Sequence, residues 1–256
     1  MLTYTNMTWP DDPYRTGQQL YRRPVPRLAA FAAEWAAAGG PVPAAVAIVY
    51  LPLHRTQTLT VTEETLTFGF RAASTSDAAE APGLAAIADL DLMQARRHAA
   101  ILAGHLLAGD LSALRQADGA AVWRGLAAVE REWAGRGAAP GRAAMLDCQL
   151  DLPGSPPLDR ACEQAGIISP DGSRCGKDWP AGHQAAAPAV ERALMIALLC
   201  ARHLGRYDWT GTLHTRQVMA AATWDCLPCP AAEPSGAPAS EAAAAGRAGA
   251  ARPGVR

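Results

Sequence analysis

The sequence predicts an α/β fold: a mixed β-sheet with helices on both faces, preceded by an N-terminal helix. Three observations predict it. Apolar runs rich in β-branched residues alternate with alanine- and leucine-rich stretches of helical period. The early strand candidates follow one another directly, which suits antiparallel neighbours, whereas the later ones follow helices, which suits parallel crossovers. The chain has 256 residues, half of them hydrophobic, enough for a sizeable core.

Residues 1–24 read as irregular, with turn chemistry at "WPDDPYR". "VPRLAAFAAEWAAAGG" places Leu28, Phe31 and Trp35 at helical spacing and ends in Gly39-Gly40, so a helix is expected there. "VPAAVAIVYLPLHR" carries an unbroken apolar run from Val46 to Val49, the signature of a strand buried on both faces. "TLTVTEETLTFGFRA" alternates on either side of Glu63-Glu64 and reads as a hairpin. "IADLDLMQARRHAA" reads as a helix, with acids early and bases late, as the helix dipole favours. Beyond "ILAGHLLAGDL", "AAVWRGLAAVEREWAGR" is helical, "AAMLDC" is a short strand, and "PPLDRACEQAGI" is a short helix with Pro157 near its start and Gly166 near its end. "AVERALMIALLCARHLG" is the strongest helix, stopped by Gly205, and "TGTLHTRQVMAAATWDCL" reads as one more. The domain plan is a segment 1–43 (irregular, then a helix), an α/β domain 44–229, and a tail 230–256. The tail is too poor in large apolar residues to fold.

Composition narrows the function classes. A formal charge of −1 gives no global attraction to nucleic acid or anionic membrane, so any such footprint must be a local patch. Lys177 is the only lysine, and the arginine and alanine bias is that of a GC-rich coding genome. No basic start followed by an apolar run opens the chain, and no stretch of about 20 strongly apolar residues suggests a membrane span. Six cysteines without an export signal are expected to stay reduced, so a cytoplasmic protein is expected.

Three stretches carry a resemblance. "GHLLAGD" holds Gly104, His105 and Asp110; "MLDCQLDLPGSPPLDRACEQAGI" is a strand end, a linker and a short helix; "ERALMI" runs from Glu191 to Ile196 inside the long helix. In order and spacing, residues 44–205 resemble the ribonuclease-H-like 3′–5′ exonucleases of the DEDD group. The resemblance implies a nucleic-acid-related protein with a ribonuclease-H-like sheet. It also implies a polar site built around Asp110 as a metal ligand for Mg²⁺ or Mn²⁺, with Asp147 at a neighbouring strand end and Glu191 at the general-base position.

The departures point to degenerate catalysis. Such nucleases hold two divalent ions about 4 Å apart, and that concentration of charge needs several carboxylates. Taken as the first strand, "VAIVYLPLH" supplies none, and Ile196 stands where the last helix should carry an aspartate. Two alternatives accompany this reading: a non-enzymatic protein-interaction module on the same fold, and an active metal-dependent nuclease with relocated carboxylates, for instance Glu63, Glu64 or Glu191.

Other constellations have plainer readings beside their functional ones. His105, Arg96 and Arg97 are candidates for contact with single-stranded DNA or RNA, against a structural histidine and the solvated end of a helix. Arg22 and Arg23, with Arg27, lie near Tyr14 and Tyr21, a mixture suited to phosphate contact and base stacking. Cys226 and Cys229 form a C-x-x-C pair that Cys175 and His183 would complete as a zinc site. The looseness of that spacing favours a plain thiol pair. No G-x-S-x-G elbow or G-x-x-x-x-G-K-[ST] phosphate loop is present.

Overall fold

The computed structural model describes residues 1–7, 26–36, 42–54, 56–117, 123–135, 141–154, 156–169 and 186–223. Arg22, Arg23, Cys175, His183, Cys226, Cys229 and the 230–256 tail lie outside the described residues. The fold is α/β, built on a mixed six-stranded sheet. Its strands are β1 (Leu2–Thr5), β2 (Arg27–Trp35), β3 (Pro43–Pro52), β5 (Gly69–Ser74), β6 (Ile101–Gly104) and β7 (Ala144–Asp147), in the order β1-β5-β3-β2-β6-β7. The first four positions in that order are joined antiparallel; β6 is parallel to β2, and β7 to β6. Two short strands, β4 (Leu59–Thr60) and β8 (Ile167–Ile168), pair in parallel with β9 (Tyr207–Asp208) and β10 (Leu213–His214) respectively.

The expected N-terminal helix is replaced by β2, an interior strand between β3 and β6. Leu28, Ala30 and Ala32 enter the core on one face, and Ala29, Phe31 and Ala33 enter it on the other. A strand covered on both sides shows no polar alternation, so its spacing mimicked a helix. The sheet thus begins well before residue 44, where the sequence reading opened the α/β domain. Leu2–Thr5, read as irregular, is an edge strand. The 46–49 run lies inside the sheet as expected, within β3. The expected hairpin does not form. Thr62 and Thr65 do close a turn around Glu63-Glu64, but β4 pairs with β9 and β5 pairs with β3.

Helices cover both faces. α1 (Ala81–His98), α2 (Leu107–Gln116) and α3 (Arg124–Gly135) cover one face, where Leu84, Leu92, Leu107, Leu111, Leu114 and Leu126 close the core. On the other face α6 (Ala186–His203) lies across β2 and β3. Its alanines 189, 193 and 197 are fully buried, and small side chains there let the helix approach strands that are themselves alanine-rich. α4 (Cys148–Asp151), α5 (Leu158–Gln164) and α7 (Thr215–Thr223) complete this layer; α7 starts later than the helix read over 210–227, whose first residues include β10. Among the described residues, no helix is long and apolar enough to cross a membrane.

Candidate functional site

The parallel strands β2, β6 and β7 all end at one edge of the sheet, and their ends bring the polar residues together. β2 carries Glu34 and Trp35, and its register against β3 shifts between these two residues. A bulge at a strand end re-aims side chains. Glu34 follows the alternation of Ala30 and Ala32 towards α6, while Trp35 packs with the α1–α3 side. Trp35 Nε1 donates to Asp110 Oδ1 at 3.1 Å, and Arg192 Nη1 of α6 lies 3.8 Å from Glu34 Oε1. The cluster therefore straddles the sheet edge from one helix layer to the other.

Its electrostatics follow from partial burial around one guanidinium. Burial pushes the Asp110 carboxyl above the ordinary range, against the pull of Arg192 and the Trp35 hydrogen bond. Glu34 is raised by burial and by the Asp110 charge, with Arg192 opposing. His105 is lowered, by burial first and then by Arg192, while Asp147 opposes. His105 is therefore neutral at neutral pH, and Arg192 acts on all three groups.

The turn between β6 and α2 is tightly built. Leu106 adopts φ 54 and ψ 34, the left-handed region, and leaves its side chain 53% exposed. A Cβ on Gly104 would stand 2.7 Å from Leu107 Cβ, so this corner needs glycine. Asp147 holds the corner from β7. Its Oδ1 accepts from the amides of Leu106 at 3.3 Å and Gln149 at 2.9 Å, and it caps α4.

Of the residues singled out from sequence, the structure brings Asp110, His105 and Asp147 to one edge. It does not bring Glu191 there. That buried carboxylate accepts from Ser169 Oγ at 2.9 Å and from Thr215 Oγ1, which ties α6 to β8 and the start of α7. Arg96 and Arg97 close α1 at the opposite end, where the parallel strands begin. Arg96 grips both oxygens of Glu132 on α3. Sequence reading missed Glu34, Trp35 and Arg192. The available signal was that Glu34 is the sole charged residue between Arg27 and His54. Among the described residues, no group of three or more His, Cys, Asp and Glu side chains is placed to hold a metal ion.

Comparison of the chain with protein families, with curated proteins and with solved structures finds no match.

Proposed function

We propose that this chain is a ribonuclease-H-like domain of the DEDD-exonuclease type that engages single-stranded nucleic acid without hydrolysing it efficiently. The observation that carries the reading is Glu34 at the end of β2 facing Asp110 in the first turn of α2, just after β6, in a sheet of this strand order. With the edge strand β1 left aside, three antiparallel strands (β5, β3, β2), two parallel ones (β6, β7) and the long helix α6 behind them are the plan that the resemblance implies. In that alignment β2, and not β3, takes the first-strand place, so Glu34 restores one of the two acids that seemed missing.

The donor set does not fit the pair of divalent ions that the resemblance implies. Ala32 stands two residues before Glu34, and Ile196 is a buried apolar side chain in α6. Asp147 is engaged by backbone amides, and Arg192 faces the two remaining carboxylates. Without a pair of ions, the attacking and leaving oxygens of phosphoryl transfer lose their main charge stabilisation. Binding is what the site can still offer. Glu34 and Asp110 can accept from sugar hydroxyls or base amines at a strand end, and Arg192 beside them is the cation available to a phosphate.

The experiment is a labelled single-stranded oligonucleotide, DNA and RNA, incubated with the full chain and Mg²⁺ or Mn²⁺ and run as a gel shift at two salt concentrations. The expected result is an intact oligonucleotide and a shift that weakens with salt, because phosphate contact releases counterions. Rapid degradation abolished by Asp110→Asn would overturn the loss of catalysis. No shift at low salt would leave the second reading, a protein-interaction module. A specific observation supports that second reading: Leu106 and Leu150 are more than half exposed at this same sheet edge.

A further inference from the structure

We infer that the Arg192 guanidinium is the resident cation of the Glu34–Asp110 site and holds it closed to divalent metal. The expectation of a metal rests on the reading proposed above; the placement of Arg192 does not. α6 crosses β2 and β3, and Arg192 in its second turn reaches the sheet edge with Nη1 3.8 Å from Glu34 Oε1. Its charge is also felt by Asp110 and by His105.

Although the ion pair is partly exposed, three features set Arg192 here in place of a metal ion. First, the flanking positions offer no oxygen. Ala32 lies one strand repeat before Glu34, and Ile196 lies about one helical turn after Arg192. Second, Asp110 Oδ1 already accepts the Trp35 indole N–H at 3.1 Å. A lone pair held by N–H is withdrawn from metal coordination. Third, guanidinium cannot deprotonate in a protein, so no pH near neutrality frees the site. It supplies one positive charge where an ion would bring two. Burial raises the pKa of both carboxylates, and the Arg192 charge opposes that rise.

A divalent ion about 5 Å from a guanidinium is repelled enough, even at the dielectric of water, to lose roughly tenfold or more in affinity. Removing the charge while keeping much of the stem should therefore open the site. The test is Mn²⁺ binding to the full chain, read from the electron paramagnetic resonance signal of the free ion, for the parent protein, Arg192→Gln, Arg192→Lys, Glu34→Gln and the double variant R192Q/E34Q. Circular dichroism follows the fold of each. R192Q is expected to bind Mn²⁺ at least about tenfold more tightly than the parent. R192K, which keeps the charge, should behave as the parent, and E34Q added to R192Q should remove the gain.

Folded R192Q with no gain, a gain that survives E34Q, or R192K as open as R192Q would each overturn the inference. Should R192Q not fold, the parent and E34Q decide. Mn²⁺ binding by the parent that E34Q abolishes overturns the inference, and identical titrations support it. No nucleic acid enters this experiment, so its failure is distinct from a failure of the gel shift.

Discussion

Replacing Asp91 by asparagine should abolish a pH dependence of stability that the fold builds into α1. Asp91 is 5% exposed on the sheet-facing side of this helix, with Oδ1 3.3 Å from Arg71 Nη1 on β5. Burial, against the pull of Arg71, raises its pKa from 3.8 to about 7. The unfolded chain releases this proton near the ordinary carboxyl value, whereas the folded chain keeps it to about pH 7. The folded state is therefore the better proton binder. Its advantage is complete below about pH 4 and is lost as pH rises through about 7. The rise corresponds to a ceiling of roughly 4 kcal/mol.

The assay is urea or thermal unfolding of the parent and Asp91→Asn between pH 4 and pH 8. Glu34, Asp89 and Asp110 are also raised and tilt the parent curve in the same sense, but both proteins share them. The difference between the two curves isolates Asp91. It should move in favour of the variant by about 2–4 kcal/mol across that range, or several degrees in Tm for a domain of this size. The Arg71 side chain is 34% exposed, so it remains hydrated when its partner loses its charge. Parallel curves, or a variant that loses ground as pH rises, would refute the reasoning.

Three further outcomes follow from packing and backbone geometry. Gly125→Ala would place a Cβ 2.2 Å from the Asp89 carbonyl oxygen, so α3 must lift off α1; urea unfolding should show a loss of more than about 2 kcal/mol. Leu106→Gly relieves a left-handed leucine whose side chain is 53% exposed and should gain about 0.5–1 kcal/mol in a thermal melt. Asp147→Ala leaves the amides of Leu106 and Gln149 without their acceptor and should cost about 1–3 kcal/mol, with faster hydrogen exchange at those two amides.

How much of the fold the sequence reveals depends on where water touches it. α1 and α6 were legible because their ends carry position signals, bases in the last turn of α1 and Gly205 just beyond α6, although α1 starts at Ala81, before the helix read from Ile87. β3 was legible because valine and isoleucine dominate its interior run. β2 was not. Four of its nine residues are alanine, which favours helices when nothing else decides. What decided was burial between β3 and β6 with apolar layers on both faces, a tertiary fact that no window on the sequence contains. The hairpin at Glu63-Glu64 failed for a related reason. Its local turn chemistry was right, but β4 pairs with the distant β9, and β5 pairs with β3, the strand before the turn.

The misreading of one strand carried directly into the misreading of the site. With residues 28–35 taken as helix, the first-strand place fell to β3, which has no acid, and Asp110 was left as the one expected metal ligand, beside Asp147 and Glu191. As a strand, the same segment brings Glu34 to the sheet edge beside Asp110 and turns Trp35 onto the Asp110 carboxylate. Arg192 could not have been singled out by type, since it is one of many arginines in the chain and sits next to Glu191, the residue that the resemblance put at the general-base position. Adjacent residues on a helix point about 100° apart. Here that angle sends Glu191 into the interior towards Ser169 and Thr215 and sends Arg192 to Glu34. Glu191 and Arg192 share one turn of α6, and which of the two faces the sheet edge is fixed by the rotation of α6 on β2 and β3. That rotation places a positive charge, where the resemblance had put a negative one, beside the carboxylates.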